Sequence, residues 1–354
     1  MKTCAKCVKS KDESEFNKQR TSRDGLNYWC RECCNRATRD HFRTLDGALI
    51  RLLDNAKTRS KKRGDIGREE ASRFEIDKAY VRQLYADQGG RCYHSGLPMS
   101  IEKCTWKVSM ERLDPARGYI PGNAVLCCLG LNTQAGWTAA KSLQVVQNHF
   151  GNGGEQLPIE ISFDEVAKEK KKPVKHAEKI CDGELHYLCK GCSEFHHHTK
   201  FNKAIRDGCT ICRRRRHDDR INTPRGFIMQ LLGMATFTTK KRNKVAGRQE
   251  MTNDIDFDYV VDLIKKQGGR CAISGMPLAF GPGKDWACSI ERIDVNVGYV
   301  RGNIIAIATE FQAIDHSVDC KTDDDEEEVS YGWSRAKFLT FVESTRRKLG
   351  LYCN

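Results

Sequence analysis

Two sets of four cysteines carry the clearest chemistry in the chain. Cys4-x-x-Cys7 is followed by Cys30-x-x-Cys33, and Cys189-x-x-Cys192 by Cys209-x-x-Cys212. Each pair suits a tight knuckle, and two knuckles bring four thiolates around one tetrahedral zinc. A structural Zn2+ is expected in each set. Cys34 and Cys181 lie outside the pattern, and His196-His197-His198 is an alternative ligand source that reads first as an exposed, solvated loop. A second constellation lies between Gln88 and Asn132. An extended segment carries Glu111, Arg112 and Asp114, turns follow at Gly118-Tyr119 and Gly122-Asn123, and a helix is expected from near Asn132. Two short strands, a turn and a helix form a ββα unit, which sets an acid from the first strand opposite an amide from the helix. A carboxylate and an amide oxygen can hold a hard divalent cation, Mg2+ or Mn2+, and leave it several waters. Such an ion can stabilise the leaving oxygen of a cleaved phosphodiester.

The elements that must position these residues are written twice. Gln88-Gly-Gly-Arg-Cys92 returns as Gln267-Gly-Gly-Arg-Cys271, and Ser109-Met-Glu-Arg-Leu-Asp114 as Ser289-Ile-Glu-Arg-Ile-Asp294. Gly118-Tyr119 and Gly122-Asn123 return as Gly298-Tyr299 and Gly302-Asn303. Upstream, Leu49, Leu52, Leu53 and Ala56 recur at helical spacing, and Ile228, Leu231, Leu232 and Ala235 repeat them. Each of these helices ends in cations, Lys61-Lys62-Arg63 and Lys240-Lys241-Arg242. Cations favour a helix C-terminus in any case, so half of that pattern needs no ligand. A shorter helix, through Tyr80-Val81 and Tyr259-Val260, precedes each Gly-Gly turn, and Gly136-Trp137 and Gly332-Trp333 open a closing helix. This is an internal duplication.

The expected division is a zinc ribbon over 1–43, a first ββα domain over 44–154, a charged linker over 155–180, a second ribbon over 181–222 and a second domain over 223–354. The fold class is α+β. The linker contains Lys168-Glu169-Lys170-Lys171-Lys172-Pro173, and the second copy carries an acidic insertion, Asp323 to Glu328, which reads first as a solvated loop. The formal net charge of +13, with 30% charged residues, points to a polyanionic partner, most often nucleic acid. No apolar run approaches the ~20 residues of a membrane span, and the basic N-terminus lacks a signal-peptide core. An intracellular, reducing compartment is therefore expected, where the 18 cysteines read as metal ligands rather than disulfides.

The central block resembles the HNH (His-Me finger, ββα-metal) endonucleases, and among them the phage group that includes recombination endonuclease VII. The resemblance covers nearly all of each copy. It implies a C-x-x-C, then Asp-His on a strand, then C-x-x-C-Asn. Cys92 and Ser95 stand at the first pair, Glu111-Arg112 at the Asp-His, and Cys128, Leu131 and Asn132 at the last triplet. By that match Glu111 and Asn132 are the metal ligands, and Glu111, Arg112, Asp114, Asn123 and Asn132 form the candidate catalytic set. The departures are specific. Arg112 and Arg292 stand where the family has its general-base histidine, and an arginine stays protonated at any working pH. His94 is the nearest spare histidine in the first copy, and Ile273 replaces it in the second. Ser95 and Leu131 replace two thiolates, and Gln312 replaces Asn132.

Two functions follow. One is a metal-dependent DNA endonuclease, nicking because only the first copy keeps the Glu/Asn pair, and monomeric because the fused halves imitate the family's dimer. The other is a catalytically inactive nucleic-acid-binding or structural protein on the same fold. In that reading Glu111-Arg112-x-Asp114 is a salt-bridged turn that fixes the hairpin. The nucleic-acid contacts expected in either case are Lys61, Lys62, Arg63, Lys240, Lys241 and Arg242.

Overall fold

The computed structural model describes the whole chain except residues 102–105, 133–135, 152–157, 165–176, 202–207, 246–249, 313–332 and 352–354. The acidic insertion Asp323 to Glu328 and the run Lys168 to Pro173 lie outside the described residues. The architecture is α+β, with small sheets set among helices.

The chain opens with two hairpins, β1 (Lys2–Thr3) on β2 (Ser10–Lys11) and β3 (Phe16–Lys18) on β4 (Leu26–Cys30). Their core is little more than Cys4, Phe16, Cys30 and Cys33. Helices α1 (Arg31–Phe42), α2 (Leu45–Gly64), the short α3 (Glu69–Ser72) and α4 (Lys78–Asp87) follow. Next comes the antiparallel hairpin of β5 (Val108–Arg112) and β6 (Ala124–Cys128), then α5 (Ala139–Phe150). The second copy repeats the order. Strands β7 (Glu178–Cys181), β8 (Glu184–Leu188) and β9 (Phe195–His197) form one sheet. Helices α6 (Thr210–Ile221), α7 (Pro224–Asn243) and α8 (Phe257–Lys266) lead to the hairpin of β10 (Cys288–Arg292) and β11 (Ile304–Ala308), and α9 (Arg335–Lys348) closes the series. None of the described helices is long and apolar enough to cross a membrane.

The duplicated residues build the same local structure twice. Thr44 and Thr223 cap α2 and α7, each hydroxyl accepting from a glycine amide, Gly47 or Gly226, at 3.1 Å. Those glycines are obligatory: a Cβ on Gly47 or Gly226 would lie 2.0 or 1.9 Å from a carbonyl oxygen of the preceding helix. The Gln-Gly-Gly-Arg-Cys motif is a turn with a side-chain lock. Gln88 gives its amide hydrogens to the carbonyls of Arg91 and Leu126 and accepts from the Leu126 N–H. Gln267 does the same with Arg270 and Ala306. The amide thus acts as one more residue of sheet on the open edge of β6 or β11.

By contacts the chain divides into two compact units, Met1–Val146 with Ala313–Asn354, and Gln147–Gln312. This differs from the expected domain ending at residue 354, because α9 packs within the first unit. Trp137 meets Phe341 edge-on at 5.2 Å, Ser344 donates to the Ser95 carbonyl at 3.0 Å, and Lys348 lies 5.0 Å over the Tyr93 ring. Part of the expected linker is likewise ordered structure of the second unit. The Ile159 N–H donates to Gly268 O at 2.9 Å, and Phe163 packs on Phe280 at 5.3 Å. The helix expected near Asn132 starts later, at Ala139. Only a short 3-10 turn, Leu129–Leu131, precedes Asn132, whose side chain is tied to β5, and Gly136 adopts a left-handed φ of 61°.

Candidate metal centres and nucleic-acid interface

The expected quartets assemble. Cys4, Cys7, Cys30 and Cys33 bring their sulfurs within 4.8 Å of one another, as do Cys189, Cys192, Cys209 and Cys212. Backbone N–H groups point at the sulfurs, Cys30 N to Cys4 Sγ and Cys209 N to Cys189 Sγ, both at 3.2 Å. Burial works against ionising Cys4 and Cys189, yet these backbone donors outweigh it and hold both thiols well below their ordinary range, at about 6. Their partners Cys33 and Cys212 are pushed up by burial and by the neighbouring sulfurs. A cluster that favours thiolate on one sulfur and resists it on another suits a cation at its centre, and four sulfurs suit zinc. Both clusters are compatible with structural zinc. The histidine run departs from its expected loop. His196 and His197 lie half-buried on β9, and His196 Nε2 sits 3.1 Å from Cys192 Sγ.

Three of the five candidate catalytic residues hold the hairpin turn. Arg112 Nη1 donates to the carbonyls of Pro115 and Arg117, each at 2.7 Å. Asp114 accepts from the Ala116 N–H, and Asn123 accepts from Asp114 N while donating to the carbonyls of Asp114 and Gly118. Arg292, Asp294 and Asn303 make the same bonds in the second copy. The turn is therefore fixed by hydrogen bonds to backbone rather than by the expected salt bridge. Gly118 and Gly298 belong to the same device, since a Cβ there would lie 2.0 and 1.8 Å from the carbonyl oxygens of Arg73 and Thr252.

The remaining two, Glu111 and Asn132, each have partners of their own. Asn132 gives its amide hydrogens to Ser109 Oγ at 2.8 Å and Met110 O at 3.0 Å. Glu111 Oε2 instead meets His94 Nε2 at 2.8 Å, and Cys127 lies against the same carboxylate. His94 and Cys127 are 4% and 0% exposed. Burial first, then the Glu111 charge, pushes the Cys127 thiol far above its usual range. In the second copy the partners differ: Glu291 accepts from Gln312 Nε2 at 3.2 Å, and Ile273 and Ile307 occupy the places of His94 and Cys127. Sequence reading noted His94 only as a spare histidine and passed over Cys127. Cys127 faces Ser109 across the ladder and so lies on the same sheet face as Glu111.

No family model, curated protein or solved structure matches this chain.

The cations at the ends of α2 and α7 split into two kinds. Lys61, Lys62, Lys240 and Lys241 are exposed, whereas Arg63 and Arg242 are half-buried. Arg63 lies 5.8 Å over the Tyr119 ring, and Arg112 lies 5.6 Å from the same ring. Arg63 Nη1 is buried without a hydrogen-bond partner. Burial and then the Arg63 charge lower the pKa of Arg112, as burial and the Arg242 charge lower that of Arg292, which sits 5.4 Å over Tyr299. A further cationic surface runs along α6, where Arg213, Arg214, Arg216 and Arg220 line one open groove with His217.

Proposed function

We propose that this protein binds nucleic acid through two copies of one cationic platform: Arg63, Arg112 and Tyr119, and Arg242, Arg292 and Tyr299. The observation that carries the reading is the repeated pair of like-charged guanidinium groups, Arg63 with Arg112 over Tyr119, and Arg242 acting on Arg292, which itself lies over Tyr299. Two cations held together raise the energy of the free protein, and a phosphate accepting from both relieves it. Neither Arg63 nor Arg112 forms a salt bridge with a described carboxylate, so their charge is available to an external anion. The neighbouring lysines widen the platform, and the net charge of +13 attracts a phosphate backbone from a distance. Under this reading Arg112 and Arg292 are anchors that their backbone carbonyls orient, and the zinc ribbons hold α1 and α6 beside them.

Binding to duplex DNA should weaken with salt, each phosphate contact adding about −0.9 to the log–log slope. Arg63→Gln with Arg242→Gln should flatten the slope by about one to two, and Lys61→Gln with Lys240→Gln by less. A slope unchanged in the arginine pair would move the binding surface elsewhere.

A metal-dependent nuclease of the HNH type is the second reading, favoured by the Glu111 carboxylate and the His94 imidazole, which the first copy alone brings together. The binding reading expects no nicking of supercoiled plasmid in Mg2+ or Mn2+. Nicks that vanish in Glu111→Ala and persist in Glu291→Ala would replace it with the nuclease.

A further inference from the structure

We infer that His94, Glu111 and Cys127 form a third transition-metal site, distinct from the two cysteine quartets and from the Glu111/Asn132 pair that the family resemblance implies. One ligand atom from each side chain lies within 4.8 Å of the other two, with His94 Nε2 and Glu111 Oε2 already 2.8 Å apart. Ligand atoms around tetrahedral zinc stand about 3.5 Å apart, which follows from bond lengths of about 2.0–2.3 Å. Sub-ångström shifts of side chains therefore seat the ion. An imidazole, a carboxylate and a thiolate select zinc or a neighbouring transition metal over magnesium, which takes oxygen ligands. The site is enclosed, with His94 and Cys127 inside and 11% of the Glu111 side chain reaching solvent. That edge gives the fourth position to a water molecule or to the second carboxylate oxygen.

The second copy supplies the control within the same chain. There the equivalent carboxylate, Glu291, accepts from the amide of Gln312, and Ile273 and Ile307 stand at the positions of His94 and Cys127. The hairpin has the same register in both copies. The fold thus accommodates this glutamate with isoleucines at the positions of the imidazole and the thiol. In the first copy the equivalent amide, Asn132, is committed to Ser109 and Met110, and an imidazole and a thiol stand where the isoleucines would be. Two groups that ligate borderline metals thus stand beside the shared carboxylate in place of two isoleucines. Scaffold demands alone do not call for that substitution. The inference is independent of nucleic-acid binding.

The test is the zinc content of the full chain, purified under reducing conditions, saturated with ZnCl2 and freed of excess. Wild type should carry one equivalent beyond those of the ribbons. His94→Ile with Cys127→Ile and Asn132→Gln reproduces the arrangement of the second copy, and should lose that equivalent alone while keeping its circular dichroism. Cys127→Ser, which retains size and a donor to Glu111, should weaken the third site by at least tenfold, and it decides the matter should the triple variant not fold. With Co2+ in place of zinc, the additional ion should show far less thiolate charge-transfer absorption than a tetrathiolate ion. Equal metal content in wild type and these variants would overturn the site and leave a metal-free hydrogen-bonded cluster.

Discussion

The hairpins β5–β6 and β10–β11 share their register, their Gln lock and their Arg-Asp-Asn turn, yet their glutamates have different neighbours. Glu111 meets an imidazole and a thiol, whereas Glu291 accepts from an amide, with isoleucines at the positions equivalent to His94 and Cys127. Because both surroundings occur in one chain, the comparison separates two roles that a single copy would confuse. What recurs atom for atom, such as the bonds of Arg112 and Arg292 to turn carbonyls, belongs to the scaffold and to any surface the halves share. What changes while the backbone stays constant belongs to a site special to one half.

The ribbons give this comparison its largest expected effect. Structural zinc in so small a module is worth on the order of 10 kcal/mol, so chelation should unfold both ribbons. They should part company under mutation. In the second ribbon His196 lies 3.1 Å from Cys192 and stands ready as a replacement ligand. Cys192→Ala should therefore retain zinc with reduced affinity, whereas Cys7→Ala loses it. Equal loss in a competition titration with a chromophoric chelator would make the two ribbons equivalent.

The glutamates come next. Removing His94 from a buried carboxylate, as in His94→Ala, should cost about 3–5 kcal/mol in metal-free protein if the pair is ionised. Gln312→Ala removes a neutral donor from Glu291 and should cost about 1–3 kcal/mol. Hydrogen exchange at the β5–β6 and β10–β11 amides reads each half separately. The reverse order of the two losses would mean that the Glu111–His94 contact is neutral.

Much of this was legible in the sequence, and the reasons are local. Cysteine pairs declare their knuckles by spacing. The helices α2 and α7 declare themselves by period. The glycines of Gly118-Tyr119 announce a turn, although the carbonyl of Arg73 pressing on Gly118 does not show in any window of residues. Two things escaped because they are not local. Cys127 joins His94 and Glu111 only once β6 pairs with β5 and the turn after Cys92 folds over the hairpin. The destination of α9 was hidden because Trp137 and Trp333 open their closing helices with the same Gly-Trp signal, and nothing in that signal names the core against which the helix packs. Part of the candidate catalytic set carries two signals at once. Arg112, Asp114 and Asn123 have the residue types of a site and the hydrogen bonds of a turn.

The caps supply the smallest expected effect and a control on the whole comparison. Thr44→Ala and Thr223→Ala each remove one hydroxyl acceptor from a helix N-terminus and should cost about 1 kcal/mol alike. Urea denaturation monitored by hydrogen exchange of α2 and α7 checks the pair. A large difference between them would show that the copies diverge in their scaffold as well as in their sites.

The packing of α9 within the first unit has a consequence for biosynthesis. The second unit is one continuous stretch, Gln147–Gln312, lodged in sequence between the two parts of the first. On the ribosome, all of Gln147–Gln312 emerges before the helix that covers Trp137 and the Ser95 turn. The later unit in sequence therefore has every segment it needs first, while the earlier one waits with an apolar face open. At ~5–20 residues per second, the distance from Val146 to α9 corresponds to tens of seconds of exposure. That interval is when a chaperone would be needed, and a nascent chain halted at Gln312 should be captured by one more readily than a chain released after α9.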